Sequence, residues 1–192
     1  MQSRRICRGR QGRNMNQFRA IAGVLLACGL LSACATHPET HSAYNDGVAA
    51  YRAKDYATAR MEWRKSVATG NADAMNNLGY LLAEGLGGER DESAAIDLWT
   101  TAARRGEPEA AWHLGQAYQY GNGVPKSDVE AYAWYRCAVA SSRVAGPDQE
   151  LDAEILKDAN DSLSKLIAEF PSEKFQAAQE LAGRYVAAYA RK

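Results

Sequence analysis

The chain has 192 residues with 23 basic and 23 acidic side chains, so its formal net charge is zero. The charges are unevenly distributed, because residues 1–33 hold six of the basic residues and no Asp or Glu. Residues 34–192 therefore carry 17 basic and 23 acidic side chains, a net charge of −6. This balance excludes a protein that binds nucleic acid without sequence preference through a basic face. The remaining length suffices for one domain with a substantial core.

The first 33 residues have the three parts of an export signal. Six arginines between Arg4 and Arg19 form a basic start, residues 21–31 form an apolar segment, and Ser32 and Ala33 are small residues of the kind a signal peptidase requires. The apolar segment is too short for a stable membrane span, which needs roughly 20 residues. We therefore predict a signal peptide over residues 1–33, with translation starting at Met1 or at Met15.

The sequence Leu-Ser-Ala-Cys at residues 31–34 resembles the lipobox of bacterial lipoproteins. In that family the peptidase cuts before the cysteine, which is then acylated, so the resemblance implies that Cys34 carries palmitate or a similar fatty acid. Ala35 replaces the aspartate that tends to retain such lipoproteins at the inner membrane, which implies an outer-membrane location facing the periplasm. The alternative is an ordinary secretory signal with an incidental cysteine. A competing box ending at Cys28 would leave an apolar region of only about six residues, below the usual 7–15.

Residues 34–41 are mostly small or polar and include Pro38, which predicts a tether between the lipid and the fold. His37 and His41 would then lie in a solvated segment rather than in a site. The folded domain is predicted to occupy residues 42–192.

Within this domain the sequence repeats with a step of 36 residues, so that Leu78 and Gly79 recur as Leu114 and Gly115. The other residues in register are Gly70 and Gly106; Gly85 and Gly121; Gly87 and Gly123; Ala59, Ala95 and Ala131; and Trp63, Trp99 and Tyr135. A period in the thirties with paired helical segments is typical of an α-solenoid.

Each unit predicts a helical hairpin. The glycine of the Leu-Gly pair lets the second helix approach closely, and a Gly-x-Gly loop turns the chain because glycine accepts positive φ. The second helices are predicted to begin at capping residues: Asp55, Asp91, and Ser127 or Asp128. Ser127 and Glu130 have the spacing of a capping box. The recurring aromatic residues are predicted to fill the space between repeats, and helical spacing places three tryptophans in the core: Trp63, Trp99 and Trp134.

This register resembles the Sel-one-like repeat (SLR) family, a relative of the tetratricopeptide repeats. The fullest match is a set of positions in one unit: Leu114, Gly115, Tyr118, Gly121, Gly123, Val124, Ala131, Trp134, Tyr135 and Ala138. The preceding unit departs from the pattern at Leu82 and Gly88, and the first unit, residues 42–70, is closer to a plain tetratricopeptide repeat. The resemblance implies an all-α fold, an α-solenoid of helical hairpins. It ends in two helices, near residues 151–170 and 173–190, the second capped by Pro171 and Ser172.

No constellation of residues indicates catalysis, a cofactor or a metal site. His113 has no His-x-x-x-His or Cys-x-x-Cys partner, so a surface or packing role is favoured over that of a general base or metal ligand. Acidic pairs such as Asp91 and Glu92 are explained by helix capping and the helix dipole. Cys137 is the one cysteine of the mature chain that is not the predicted lipidation site, which excludes an internal disulfide and favours a small buried apolar side chain.

Binding is better supported than catalysis, because solenoids present an extended concave face lined by the first helix of each hairpin. The resemblance to tetratricopeptide repeats implies groove positions three before and one after the helix glycine, and near the helix end. In this chain these positions are Tyr44, Val48 and Arg52; Asn76, Tyr80 and Glu84; and Trp112, Gln116 and Tyr120. The alternative for the aromatic members is packing between repeats, and for Trp112 the two roles are equally open.

The resemblance implies an envelope lipoprotein that acts as a non-enzymatic adaptor or scaffold for a protein partner, in cell-wall remodelling, secretion or exopolysaccharide assembly. The alternative is a peptidoglycan or glycan hydrolase, or a regulator of such an enzyme. A hydrolase would need two carboxylates held across a cleft. An adaptor would instead show a wide groove lined by residues such as Tyr44, Asn76 and Trp112.

Overall fold

The computed structural model describes residues 38–142 and 149–190, with side chains from residue 43 and from residue 153 onwards in the two segments. These residues form eight α-helices and no strand, which confirms the all-α prediction. The helices are α1 (Pro38–Arg52), α2 (Tyr56–Ala68), α3 (Ala72–Glu84), α4 (Glu92–Ala103), α5 (Pro108–Tyr120), α6 (Asp128–Ser141), α7 (Gln149–Ala168) and α8 (Ser172–Tyr189). The predicted signal peptide, both candidate start residues and Cys34 lie outside the described residues.

The helices pair as predicted into the hairpins α1–α2, α3–α4 and α5–α6, and consecutive hairpins contact each other through α2 with α3 and α4 with α5. Helix α1 begins at Pro38, so residues 38–41, which the sequence assigned to the tether, are helical. Proline is compatible with a first helical turn because its φ is fixed near the helical value and its missing N–H would have no partner there. Helices α7 and α8 both pack on α6.

Side-chain caps start the second helix of each hairpin. Asp55 Oδ1 accepts from the Thr58 N–H at 3.1 Å and Asp91 Oδ1 from the Ala94 N–H at 2.9 Å. Ser127, rather than Asp128, caps α6. Each cap satisfies a backbone donor that the helix itself leaves unpaired.

The predicted capping box at Ser127 forms only by half. Ser127 Oγ accepts from the Glu130 N–H at 3.3 Å, as expected. The Ser127 N–H, however, donates to the Tyr118 carbonyl at 2.8 Å, and Glu130 Oε2 accepts from the Tyr185 hydroxyl at 2.8 Å. The reciprocal bond of the box is therefore replaced by tertiary contacts to α5 and α8.

The Gly-x-Gly loops lie where the repeat predicts and use glycine for two reasons. Gly87 and Gly123 have φ of +73° and +71°, backbone angles that residues with a Cβ rarely adopt. They also touch the preceding hairpin: a Cβ on Gly87 would lie 2.6 Å from the Ala57 nitrogen, and one on Gly123 would lie 2.9 Å from Glu92 Cβ. Each loop thus packs on the start of the second helix of the hairpin before it.

The glycine of each first helix seats an aromatic ring of the second helix. A Cβ on Gly79 would lie 2.6 Å from Trp99 Nε1, and one on Gly115 would overlap the Tyr135 ring, with Cγ 2.9 Å away. Gly47 faces Trp63 in the same way. The close approach predicted for these glycines is therefore an approach of ring to backbone inside one hairpin.

The predicted core residues are buried. Trp63, Trp99 and Trp134 are 2%, 6% and 4% exposed. Cys137 is also buried and is the free cysteine of the described residues, and burial raises the pKa of its thiol to about 11. An inert apolar role for Cys137, as predicted, follows because the reactive thiolate is disfavoured.

The C-terminal helices are present but differ in detail from the prediction. Helix α8 begins at Ser172, and the residue at its cap position is Pro171, which makes no side-chain cap hydrogen bond. Pro171 therefore occupies the predicted cap position, but no side chain caps the helix, because proline has no side-chain acceptor and Ser172 already lies inside the helix. The Pro171 carbonyl instead accepts from the Lys174 N–H at 2.9 Å. Within the described residues, no helix combines the length and the apolar character needed to cross a membrane.

Candidate functional site

The first helices of the three hairpins line a cleft of about 490 Å³. Six of the predicted groove residues lie on its walls: Tyr44, Val48, Arg52, Asn76, Tyr80 and Trp112. A second cleft of about 220 Å³ is lined by Tyr80, Glu84, Trp112 and Gln116. Both clefts share Tyr80 and Trp112, so they form one groove across α1, α3 and α5. Eight of the nine predicted positions are brought together in it.

Tyr120 is the predicted position that the groove does not include. It is the last residue of α5 and is 66% exposed, and it lines neither cleft. Arg52 and Glu84 are also the last residues of their helices, but each lines a cleft beside the next hairpin. Helix α5 belongs to the last of the three hairpins, so among the described residues no first helix of a further hairpin stands beside Tyr120.

Asn76 lies on the wall of the larger cleft and is only 2% exposed. Its Nδ2 donates to Glu109 Oε2 at 2.8 Å and more weakly to Asn77 Oδ1 at 3.4 Å. Its backbone carbonyl accepts from Trp99 Nε1 at 3.2 Å. Its side-chain Oδ1, by contrast, is buried and has no hydrogen-bond partner among the described residues. This amide therefore has one unused acceptor beside the cleft.

Glu109 contributes a carboxylate to the same cleft. Burial raises its pKa above the ordinary value of 4.5, the hydrogen bond from Asn76 opposes that shift, and Glu154 and Asp73 raise the pKa further. The environment of Glu109 therefore disfavours its negative charge, and no Lys or Arg of the described residues forms an ion pair with it.

His113 lies one turn after Glu109, with its Nε2 3.8 Å from Glu109 Oε1. Its side chain is 11% exposed, and burial lowers its pKa from 6.5 to about 4. The ring stacks on Trp99, with centroids 4.6 Å apart and planes 14° from parallel. His113 is thus a neutral packing residue at pH 7, in agreement with the role that the sequence favoured for it.

Trp112 combines the two roles that the sequence left open. It is half-buried and packs against the core clusters of the solenoid, and it also lines both clefts. Its Nε1 is buried without a hydrogen-bond partner among the described residues. The side chain therefore supports the fold with one part of its surface and faces the groove with another.

Besides the predicted core residue Trp63, four further residues of the larger cleft were not predicted as groove residues. Each lies three residues before or after a predicted position on the same helix face: Tyr51, Asn77, Glu109 and His113. The signal was available, because residues i and i+3 share a face of an α-helix. In the described part of the chain, no group of three or more His, Cys, Asp or Glu residues is arranged to hold a metal ion.

The family comparison identifies the hairpins. The Sel1 repeat model matches residues 72–107 and 108–142, which begin at the first residues of α3 and α5. Two hairpins of the chain, α3–α4 and α5–α6, therefore match the Sel1 repeat. The predicted SLR resemblance is therefore confirmed, and the first hairpin, α1–α2, lies outside the matched stretches. Sel1 repeat proteins are generally protein–protein interaction scaffolds and are typically non-enzymatic.

Two solved structures are similar to this chain and confirm the α-solenoid. One is a protective antigen present in uropathogenic Escherichia coli strains that displays an SLR fold; it is 26% identical, with a TM-score of 0.67 over 79% of this chain and 30% of that one. The other is a Sel1 repeat protein from Oxalobacter formigenes, 28% identical, with a TM-score of 0.56 over 75% of this chain and 54% of that one. The chain thus spans less than two thirds of either relative. Among curated proteins no match was found.

Proposed function

We propose that this Sel1-like repeat protein is a lipoprotein of the outer membrane, anchored through Cys34 and facing the periplasm. In this proposal it binds a protein partner in its groove and serves as an adaptor rather than a catalyst. The observation that carries the binding role is the convergence of groove positions from α1, α3 and α5 on one continuous cleft surface. The general role of Sel1 repeats in binding protein partners supports the same conclusion.

The chemistry of the groove favours binding over the alternative of a glycan hydrolase. Hydrolysis of a glycosidic bond ordinarily needs two carboxylates that face each other across a cleft. The larger cleft is lined, among the described residues, by one carboxylate, that of Glu109, which already accepts a hydrogen bond from Asn76. The smaller cleft is lined by the carboxylates of Glu84 and Glu92, of which Glu92 forms an ion pair with Arg90. Five Tyr and Trp side chains line the larger cleft and provide large, rigid contact area of the kind that binding surfaces use: Tyr44, Tyr51, Trp63, Tyr80 and Trp112.

The membrane anchor is supported by the leader and the lipobox alone, and it is tested at Cys34. Cys34→Ser should move the chain from the membrane fraction to the soluble periplasmic fraction, or leave the leader uncut, because no thiol remains for acylation. Cys28→Ser, which changes the competing box, is the matched control and should leave the fractionation unchanged. Membrane retention of Cys34→Ser, with an unmodified residue 34 in the wild type by mass spectrometry, would contradict the anchor.

The groove is tested by Trp112→Ala in pull-downs from envelope extract with the full chain in detergent. We expect the affinity for the captured partner to fall by about 30-fold, equivalent to about 2 kcal/mol, as at an interface hot spot. Met61→Ala is the control, because Met61 is an exposed apolar residue of α2 that lines neither cleft. Equal binding by both variants would exclude Trp112 from the interface. A loss of stability by about 3–5 kcal/mol in Trp112→Ala would show that its role is mainly in the core.

A further inference from the structure

The larger cleft offers hydrogen-bond acceptors that the described protein leaves unmatched. Asn76 is almost wholly buried, yet its Oδ1 has no partner. A buried polar atom without a partner lowers stability, so such atoms are uncommon in folded proteins unless a ligand or water completes them. Beside it, Glu109 brings a carboxylate whose described neighbours supply one amide donor and no paired Lys or Arg. A group with several N–H donors would complement both residues.

Acidic side chains act electrostatically on this position. Burial is the largest cause of the raised pKa of both the Glu109 carboxyl and the Tyr44 phenol. Glu154 and Asp73 raise the pKa of Glu109 further, and Asp73, Glu107 and Glu109 raise that of Tyr44 further. The nearest basic ring is that of His113, which is neutral at pH 7. A positively charged group that enters the cleft beside Glu109 would therefore be attracted by its carboxylate, since partial burial weakens the screening by solvent.

The aromatic side chains on the walls of the cleft also favour a cationic group. Tyr44, Tyr51, Tyr80 and Trp112 line it, and aromatic rings attract ammonium and guanidinium groups through their faces. The volume of about 490 Å³ lies in the range of sites that enclose small ligands or single side chains. Trp112, whose side chain also lines the cleft, has a second buried polar atom, Nε1, without a partner among the described residues.

We propose that the cleft between α1, α3 and α5 accepts a lysine or arginine side chain of the partner protein, with its charged end at Glu109 and Asn76. This inference rests on the proposed function, because it names the chemistry that the groove recognises. Arg52, the basic residue that lines the larger cleft, lies at the exposed C-terminal end of α1.

The test is a selection of random phage-displayed peptides on the full chain in detergent, followed by affinity measurements on synthetic copies of the enriched peptides. We expect a lysine or arginine at a fixed position of the enriched sequences. For an arginine peptide, replacement by citrulline, which has nearly the same shape without the charge, should weaken binding by about tenfold or more. This comparison uses the unaltered protein and so does not depend on how any variant folds.

Two variants then locate the charge. In Glu109→Gln, the arginine and citrulline peptides should bind with nearly equal affinity, because the carboxylate that distinguishes them is gone. In Glu169→Gln, which alters an exposed carboxylate that lines neither cleft, the preference for arginine should persist. Thermal unfolding of each variant checks that both are folded.

Each outcome decides the matter. Enriched peptides without a shared cationic residue would overturn the cation site and leave groove binding intact. A preference for arginine that Glu109→Gln preserves would also overturn it, because the charged group would then be recognised by a residue other than Glu109. Absence of any enrichment over a surface without protein would overturn both the cation site and peptide binding in the groove.

Discussion

Replacing Gly115 with alanine tests whether the helix glycines exist to seat the aromatic rings. The new Cβ would lie 2.9 Å from Tyr135 Cγ and closer to two other ring carbons, whereas ordinary carbon contacts are about 3.5–4.0 Å. The ring has little freedom to move away, because Tyr135 is fully buried and its hydroxyl donates to Gln119 Oε1 at 2.7 Å. Either the two helices of the hairpin separate or the ring loses its site.

Two opposing terms set the size of the effect. Alanine in place of glycine favours a helix by about 1 kcal/mol. Overpacking of a rigid core costs about 1–3 kcal/mol, and expulsion of the ring would cost about 3–5 kcal/mol. We expect a net loss of about 2 kcal/mol, which for a chain of this length lowers Tm by roughly 4–8 °C.

The assay is thermal unfolding of the full chain in detergent, followed by circular dichroism. Gly183→Ala in α8 is the matched control, because Gly183 is exposed and a Cβ there would have no atom within 4 Å. That variant should be more stable than wild type by about 0.5–1 kcal/mol through helix propensity alone. If Gly115→Ala raises Tm as the control does, the seating role is wrong. Removal of the ring by Tyr135→Ala should make Gly115→Ala stabilising.

Two further predictions concern buried polar residues. The folded pKa of His113, about 4, lies below its ordinary 6.5, so the unfolded chain binds more protons between these values and stability falls as pH falls through that window. His113→Gln should reduce this acid-induced loss of stability by up to about 3 kcal/mol, measured as the free energy of unfolding in urea titrations at neutral and acidic pH. The same pH dependence in the variant and the wild type would refute this prediction. Arg60 donates to the carbonyls of Leu81 at 2.8 Å, Leu86 at 2.6 Å and Glu89 at 3.0 Å. Arg60→Met should therefore lower the free energy of unfolding by about 2–4 kcal/mol and speed amide exchange in the loop after α3. Unchanged stability and exchange would show that water replaces the guanidinium at these carbonyls.

The fold was largely predictable because its determinants recur at a fixed spacing. A ring on the second helix always faces a glycine on the first, as Trp99 faces Gly79, and each partner is visible in the sequence. The caps at Asp55 and Asp91 are local, involving residues three apart, and were predicted for that reason. The capping box at Ser127 failed because the competing partner of Glu130 is Tyr185, which is 55 residues away in the chain.

The groove was predictable in position but not in chemistry. The resemblance to tetratricopeptide repeats indicated which helix face lines it, and most of the chosen residues do so. It did not reveal Glu109, whose significance depends on burial and on Asn76, a partner 33 residues earlier on another helix. Spacing identifies a face, whereas the charge state of a buried carboxyl depends on everything packed around it. The lipid anchor at Cys34 stays a prediction from the sequence.

The Gly-x-Gly loops give the array a direction of growth. The loop of each later hairpin rests on the hairpin before it, Gly87 against α2 and Gly123 against α4. Helices α1 and α2 are joined without such a loop, and in the described part of the chain no helix precedes α1 on which one could rest. A duplicated 36-residue unit inserted before α3 would fit against the hairpins on both sides. Its own Gly-x-Gly loop would pack on α2, and Gly87 would pack on the second helix of the inserted unit. The gene could therefore lengthen the array by internal duplication, one hairpin at a time, while the first hairpin stays at its end.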